Sequence, residues 1–254
     1  VIFLPFIEAI SKKFNSPIIL LTKESSKAKE YLSNNNHIEK IIDLRRNNSN
    51  DIHQGVKGFF RLRKDLKKFN FDKAFIFNSS TRYNLVCKFA GIKEIYQYPL
   101  FKKNKQHIIG AAKSLLEKIN LNIDSDPKIS IEENLVMEAK RKFNINDKQI
   151  NVLLGIGGSG PTKRTPAKII KEFIKLSLKN YDCKFFLATG NNKEEQEIQN
   201  EIILSFKEHC IPLSNLSISN TLPIIKNCKI AICNDTSFSH LSAALDVPTI
   251  VLMC

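Results

Sequence analysis

Val152-Leu153-Leu154-Gly155-Ile156-Gly157-Gly158-Ser159-Gly160-Pro161-Thr162-Lys163-Arg164-Thr165-Pro166 is the stretch that decides the fold. The apolar run Val152–Leu154 reads as a strand, and a glycine-rich turn follows it directly. Thr165 reads as an N-cap and Pro166 as the first position of a helix running to Leu178. Strand, glycine turn and helix in that order form the repeating unit of a parallel α/β sheet.

The turn matches G-x-G-x-x-G at Gly155, Gly157 and Gly160, the literal pattern of a dinucleotide fold. That fold also needs glycines that open the helix and an acid ending the next strand to hold a ribose. Here Pro161 follows the last glycine, and the next strand ends Ala188-Thr189-Gly190-Asn191 with no acid. The Walker pattern fails as well, because Pro161-Thr162 stands where Lys-Ser/Thr is required. What survives is a glycine loop feeding a helix N-terminus, with Thr162, Lys163 and Arg164 between them. Amides, a hydroxyl and two cations at one point suit a pyrophosphate. The alternative is an ordinary strand-to-helix loop carrying a solvated basic pair.

Outward from this stretch, strand and helix alternate in both directions. Downstream come a strand at Lys184–Ala188, a helix at Lys193–Lys207, a short strand at Leu216–Ile218 and a short helix at Leu222–Asn227. A strand at Lys229–Cys233, a helix at Phe238–Leu245 and a strand at Thr249–Met253 complete this half. Upstream, helical spacing at Leu4–Phe14 precedes strands at Ile18–Thr22, Lys40–Leu44, Lys73–Phe77 and Glu94–Tyr98. Helices are expected at Ser26–Leu32, Val56–Phe69, Arg82–Ala90, His107–Ile119 and Glu132–Phe143. In the basic amphipathic helix Val56–Phe69, Phe59, Phe60, Leu66 and Phe69 form the apolar side. The polar hinge Asn144–Gln149 splits the chain, so the expected domains are residues 1–147 and 148–254, each a parallel sheet covered by helices.

Composition agrees with a soluble globular chain. Of 254 residues, 43% are hydrophobic and 25% charged, which excludes wholesale disorder and collagen. Lys+Arg 39 against Asp+Glu 25 leaves +14, a balance that predicts anionic partners: phosphates, nucleic acid or an acidic membrane surface. No stretch reaches the roughly 18 apolar residues of a membrane span, and the segment from Val1 to Ile10 lacks the features of a signal peptide. The chain starts without Met and stops inside the apolar run Thr249–Cys254, so it is expected to be a piece of a longer protein, cut at both ends. Cys87, Cys183, Cys210, Cys228, Cys233 and Cys254 form no C-x-x-C pair and sit at no zinc-ligand spacing. Buried free thiols in a reducing cytoplasm are the expected state.

A second motif, Asn234-Asp235-Thr236-Ser237-Phe238-Ser239-His240-Leu241-Ser242-Ala243-Ala244-Leu245, follows the strand Lys229–Cys233. It lies at the carboxyl end of a parallel strand, where such sheets bind ligands. Asp235, Thr236 and Ser237 can cap the helix, free amides there can take phosphate oxygens, and Asp235 can accept from sugar hydroxyls. His240, one turn in, is placed to face the same cleft. The alternative is a plain capping box with a half-buried, satisfied histidine.

This motif, continued through Asp246-Val247-Pro248, resembles the asparagine-aspartate-threonine-glycine, then histidine-leucine-alanine, signature of the bacterial heptosyltransferases, glycosyltransferase family nine. Thr162-Lys163-Arg164-Thr165-Pro166 is similar to that family's lysine-arginine-tryptophan-proline segment. Phe71–Phe77 with Arg82 resembles its first-domain strand and the arginine helix after it, and Leu4-Pro5 resembles the stretch past its N-terminal glycine-aspartate pair. The resemblance spans nearly the whole chain in order. It implies an α/β GT-B fold, with two Rossmann-like parallel-sheet domains facing a cleft. It also implies transfer of a sugar, heptose by default, from an ADP-sugar to the lipopolysaccharide core with inversion, the alternative within the family being another nucleotide-sugar.

By the same resemblance, Lys163 contacts the donor diphosphate with Ser159 beside it. Thr236 and the amide of Ser237 hold phosphate oxygens, Asp235 and His240 reach sugar or phosphate, and Glu194 or Glu195 lies near the nucleoside. Two departures stand out: Ser237 replaces the signature glycine and Thr165 the tryptophan. The catalytic base is implied to be an Asp upstream of Val1, so residues 1–254 alone are expected to bind ADP but transfer little sugar. No metal and no cofactor is expected. An anionic acceptor fits the basic residues Arg45, Arg46, Arg61, Arg63, Lys64, Lys67, Lys68, Lys102, Lys103 and Lys105, for each of which a generic solvated face is the equal alternative. It also implies a cytoplasmic protein in peripheral contact with the inner membrane surface. Against this stand a nicotinamide-dependent oxidoreductase, resting on the glycine match, and a nucleic-acid-binding module, resting on charge alone. The latter has no recognisable motif or interleaved aromatics, so nucleic acid is not expected as a partner.

Overall fold

The computed structural model describes residues 1–98, 107–158 and 160–253. The chain divides into two compact units. An N-terminal unit comprises Phe3–Lys29 and Ser33–Ser125, and a C-terminal unit comprises Val1–Ile2, Glu30–Leu32 and Asp126–Cys254.

In chain order the first elements are α1 (Leu4–Phe14), β1 (Ile18–Lys23), α2 (Ala28–Leu32), β2 (Ile38–Leu44), α3 (Gly55–Lys67), β3 (Lys73–Ile76), α4 (Thr81–Ala90), β4 (Glu94–Gln97) and α5 (Ile108–Glu117). All described pairing here is parallel, as the alternation of strand and helix requires, but it forms two separate pairs, β1 with β2 and β3 with β4. One core gathers Leu44, Leu62, Leu66, Ile76 and Val86 under α3 and α4. A second gathers Phe6, Ile10, Ala112, Leu115 and Leu116 under α1 and α5.

α3 buries Leu66 and packs Phe59 against the core, as expected, but Phe60 departs. Gly58, Leu62 and Leu66 point inward, whereas Phe60, expected on the apolar side, is 57% exposed. The cause is local: a Cβ at position 58 would lie 2.1 Å from the His53 carbonyl carbon, so only glycine lets this face press on the preceding loop. Lys102, Lys103 and Lys105 lie outside the described residues.

The C-terminal unit holds α6 (Glu133–Lys142), β5 (Ile150–Gly155), α7 (Ala167–Asn180), β6 (Cys183–Ala188), α8 (Lys193–Ser205), β7 (Cys210–Pro212), α9 (Ile218–Lys226), β8 (Ile230–Asn234), α10 (Ser237–Ala244) and β9 (Thr249–Leu252). Its strands form one parallel sheet in the order β7-β6-β5-β8-β9. Successive strand residues serve opposite faces, as the two-residue period of a strand dictates. Leu153, Phe186, Ala188, Ala231 and Cys233 enter one core, and Val152, Leu154, Phe185 and Leu187 the other. Both faces are buried, which explains the unbroken apolar runs.

Two expectations need correction. The division falls at Ser125/Asp126 rather than between 147 and 148. α6 belongs to the later unit because Ala139 and Ile145 share a core with Leu153 and Phe186. Asn227 Nδ2 also donates to the Val136 carbonyl at 3.0 Å, and Lys184 Nζ to the Phe143 carbonyl at 2.8 Å. The polar run at 144–149 is thus a surface turn within one unit. The strand expected at Leu216–Ile218 lies instead at Cys210–Pro212. Ile218 opens α9, because the Ser217 hydroxyl accepts from the Asn220 N–H at 3.2 Å and caps that helix.

Cys87, Cys183, Cys210, Cys228 and Cys233 are free and buried; Cys254 lies outside the described residues. Burial pushes the thiols of Cys87 up to about 11 and of Cys210 and Cys233 up to about 12. Among the described residues, no helix is long and apolar enough to cross a membrane.

Candidate functional site

β5 and β8 are neighbours in the sheet, and the chain leaves them in opposite directions: to β6 and β7 on one side, to β9 on the other. Parallel sheets open a crevice at the carboxyl ends of such a strand pair. The glycine loop leaves β5 at Gly155 and the Asp235 loop leaves β8 at Asn234, and Gly155 pairs in register with Cys233. The two motifs, 72 residues apart in sequence, meet here: Lys163 Nζ donates to Asp235 Oδ2 at 2.7 Å.

Lys163 ends a single 3-10 turn, Pro161–Lys163, closed by its N–H on the Gly160 carbonyl at 3.0 Å. Its side chain is 45% exposed and that of Asp235 39%, so the ion pair is open to solvent at the carboxyl edge of the sheet. The hydrogen bond and the charge of Lys163 hold the Asp235 carboxyl below the usual carboxylate range, and His240 adds a smaller pull the same way. Thr236 is the N-cap of α10, but its side chain makes no capping bond, and its Oγ1 is buried without a hydrogen-bond partner among the described residues. Ser237 and His240 on the first turns of α10 are exposed. The helix therefore presents amides, a hydroxyl and an imidazole beside Lys163 and Asp235. Ser159 lies outside the described residues.

A buried carboxylate supports the loop. Glu195, on the first turn of α8, is 4% exposed. Its Oε1 accepts from the Gly158 N–H at 3.1 Å and Asn192 Nδ2 at 2.6 Å, and its Oε2 accepts from the Gly190 N–H at 2.5 Å. A Cβ on Gly157 would lie 2.6 Å from Glu195 Oε2, and one on Gly155 2.6 Å from Cys233 Sγ. Two of the three pattern glycines are thus explained by internal packing rather than by a bound dinucleotide. Gly160 meets nothing within 4 Å.

Glu194 and Glu195 take different places. Glu194 is exposed and pairs with an Arg164 guanidinium nitrogen, whereas Glu195 is enclosed. Arg164, expected as half of a solvated basic pair, is largely buried, and its Nε donates to the Gly158 carbonyl at 2.9 Å. Thr165 is not the N-cap. Pro166 takes that position ahead of α7, because the Thr165 hydroxyl instead donates to Asn234 Oδ1 at 2.7 Å. Asn234 Nδ2 then reaches the carbonyls of Ile156 and Gly157 at 3.1 and 3.0 Å. Asn234 thereby ties the end of β8 to both sides of the glycine loop, a role that spacing does not reveal. Next to α8, Gln196, Gln199, Asn200, Ile203, Pro212, Ser214 and Asn215 line a neutral hollow of about 260 Å³.

Known proteins point the same way. The family model described as glycosyltransferase family 9 (heptosyltransferase) matches residues 59–253. No curated protein gives a significant match. Among solved structures, E. coli ADP-heptose LPS heptosyltransferase II superposes with a TM-score of 0.77 at 17% identity, over 97% of this chain and 78% of that one. The glycosyl transferase family 9 protein from Veillonella parvula gives 0.79 at 16%, over 99% and 76%. E. coli heptosyltransferase WaaC with ADP gives 0.71 at 16%, over 98% and 81%. At such identities the likeness is one of fold, and the fold is GT-B. With the family model spanning most of the sequence, including both loops at the crevice, this chain belongs to glycosyltransferase family 9, the heptosyltransferases.

Proposed function

We propose that the chain transfers a sugar, heptose by default, from an ADP-sugar to the lipopolysaccharide core, with inversion at the anomeric carbon. The observation that carries this reading is the meeting of Lys163 with Asp235 beside the start of α10. Departure of a diphosphate places negative charge on its oxygens. Lys163 offers a full cation there, and the α10 amides offer fixed dipoles. Asp235 holds the lysine across the crevice before the donor arrives, then turns to the sugar hydroxyls as the lysine meets phosphate. Glu194, exposed beside the loop and paired with Arg164, is the carboxylate offered to the ribose.

A carboxylate serves as base, removing the acceptor proton as the hydroxyl oxygen attacks the anomeric carbon opposite the leaving diphosphate. The resemblance places that base in the N-terminal loop of the family, whereas the groups gathered here serve the leaving group. An acceptor carried in a membrane places the protein at the cytoplasmic face of the inner membrane, with the surplus of cations meeting anionic headgroups.

Calorimetric titration with ADP tests the reading. Lys163→Ala is expected to weaken ADP binding about tenfold to a hundredfold, the range of one charged hydrogen bond. Unchanged affinity in a folded variant would reduce the segment to a helix start.

A further inference from the structure

α3 and α4 lie side by side in the N-terminal unit, and each exposes a pair of large apolar side chains. Val56 and Phe60 stand one turn apart on α3, and Leu85 and Phe89 one turn apart on α4. All four are exposed, by 73%, 57%, 45% and 60% respectively. Phe60 and Phe89 are linked across the two helices through one ring. The Phe59 ring meets Phe60 edge-on at 5.4 Å and Phe89 at 6.0 Å, and Arg63 Nε clamps the Phe89 carbonyl at 2.8 Å. Lys57, Lys64 and Lys88 stand exposed around the patch. Asp65, the single acid in the two helices, is engaged by Lys68 at 2.9 Å.

Large apolar side chains on a solvated face mark an interaction surface. Rimmed by cations without matching acids, they have the composition of a helix face that lies in a lipid headgroup layer. Charge selects among occupants. A two-fold contact with a second copy would set one cationic rim against another, whereas an anionic bilayer offers hydrocarbon for the rings and phosphates for the lysines. We propose that the α3–α4 face docks on an anionic lipid bilayer, with Phe60 and Phe89 entering the headgroup layer and Lys57, Lys64 and Lys88 meeting its phosphates. The proposal deepens, and rests on, the reading above that the acceptor is carried in a membrane. The surface itself belongs to the N-terminal unit and needs no nucleotide.

Sedimentation with vesicles tests it, using phosphatidylcholine containing about one third phosphatidylglycerol and no acceptor lipid. The chain is expected to bind these vesicles, to be released by salt, and to bind pure phosphatidylcholine weakly. Phe60→Ser with Phe89→Ser should lower partition about tenfold or more. Each of Lys57→Gln, Lys64→Gln and Lys88→Gln should lower it about fivefold. If the double phenylalanine variant does not fold, Val56→Ser with Leu85→Ser probes the same face. Absence of binding to anionic vesicles, or undiminished binding by the folded apolar variants, overturns the proposal. So does a dimer in sedimentation velocity that the same substitutions dissolve, or retention of a protein partner in place of vesicles. ADP titration of the same samples separates the two readings. Docking without ADP binding sinks the nucleotide assignment and supports this surface; ADP binding without docking sinks the surface alone.

Discussion

Replacing Glu195 by alanine is expected to destabilise the C-terminal unit by about 3–5 kcal/mol, the range for removing one member of a buried, hydrogen-bonded charge network. The carboxylate accepts from the N–H groups of Gly158 and Gly190 and from Asn192 Nδ2, at 3.1, 2.5 and 2.6 Å. Arg164 Nε lies 3.9 Å away. Each hydrogen bond to a charged group is worth about 1.5–3 kcal/mol, and the three share one side chain, so they do not add. Truncation also leaves the two glycine amides without an acceptor and removes the wall against which Gly157 packs. Glu195→Gln keeps one acceptor oxygen but turns an NH₂ toward an N–H donor, for about 2 kcal/mol. Glu194→Ala removes the exposed one of two carboxylates beside Arg164, which keeps the Gly158 carbonyl and Glu195, and should cost at most about 1 kcal/mol. Urea denaturation followed by far-ultraviolet circular dichroism reads all three, since the chain has no Trp to report by fluorescence. The two units need separate fits if they unfold separately. A Glu195→Ala midpoint within about 0.5 kcal/mol of the parent, or a larger loss in Glu194→Ala, would refute the assignment of Glu195 as the support of the glycine loop.

Gly157→Ala should destabilise by about 1–3 kcal/mol, because its Cβ meets a carboxylate that three hydrogen bonds hold in place, whereas Gly160→Ala should be nearly silent; equal effects in thermal melts would contradict this. Thr165→Val should cost about 1–3 kcal/mol by leaving buried Asn234 Oδ1 without its donor, and Thr165→Ser should restore most of that loss. Stability should also fall at alkaline pH. The thiols of Cys87, Cys210 and Cys233 are raised from an ordinary 9.0 to about 11, 12 and 12, so the unfolded chain releases those protons first. Their contribution is complete below 9.0 and is lost as pH rises toward about 12, and an unchanged alkaline slope in Cys210→Ala with Cys233→Ala would rule this out. Asp235→Asn should loosen Lys163 and make ADP binding less selective for the sugar-bearing donor, read as a smaller gap between ADP and ADP-sugar affinities; an unchanged gap would leave Asp235 as a lysine partner alone.

The parallel α/β class was legible because it depends on local order. Val152–Leu154, Lys184–Ala188 and Lys229–Cys233 are apolar on both faces, and each is followed by a turn and a helix. Such strands pair in parallel whatever their partners. The motif around Asp235 was legible for a related reason: a cluster of capping residues after a strand marks a helix N-terminus at the carboxyl edge of a sheet. The unit boundary was not legible. The polar run Asn144–Gln149 looks like a linker, but α6 is held to the later unit by Ala139 and by the Asn227 bond to Val136, contacts with residues far along the chain.

Side-chain placement shows the same division. Glu194 and Glu195 are adjacent and chemically identical, yet only Glu195 turns inward, because the glycine N–H groups that need an acceptor lie on that side of α8. Arg164 looks like solvated charge beside Lys163, but a carbonyl and two carboxylates draw it in. Phe60 was expected on the apolar side with Phe59 and Leu66, but the face that packs inward is that of Gly58, Leu62 and Leu66, and Phe60 lies off it. The sequence by itself determined the order and type of the elements, the family, and the two loops that carry the chemistry, since these follow from periodicity, capping and motif. Only the tertiary structure decided which of neighbouring side chains faces the loop, the core or the solvent. That choice depends on unsatisfied donors and close backbone approaches supplied by segments distant in the chain.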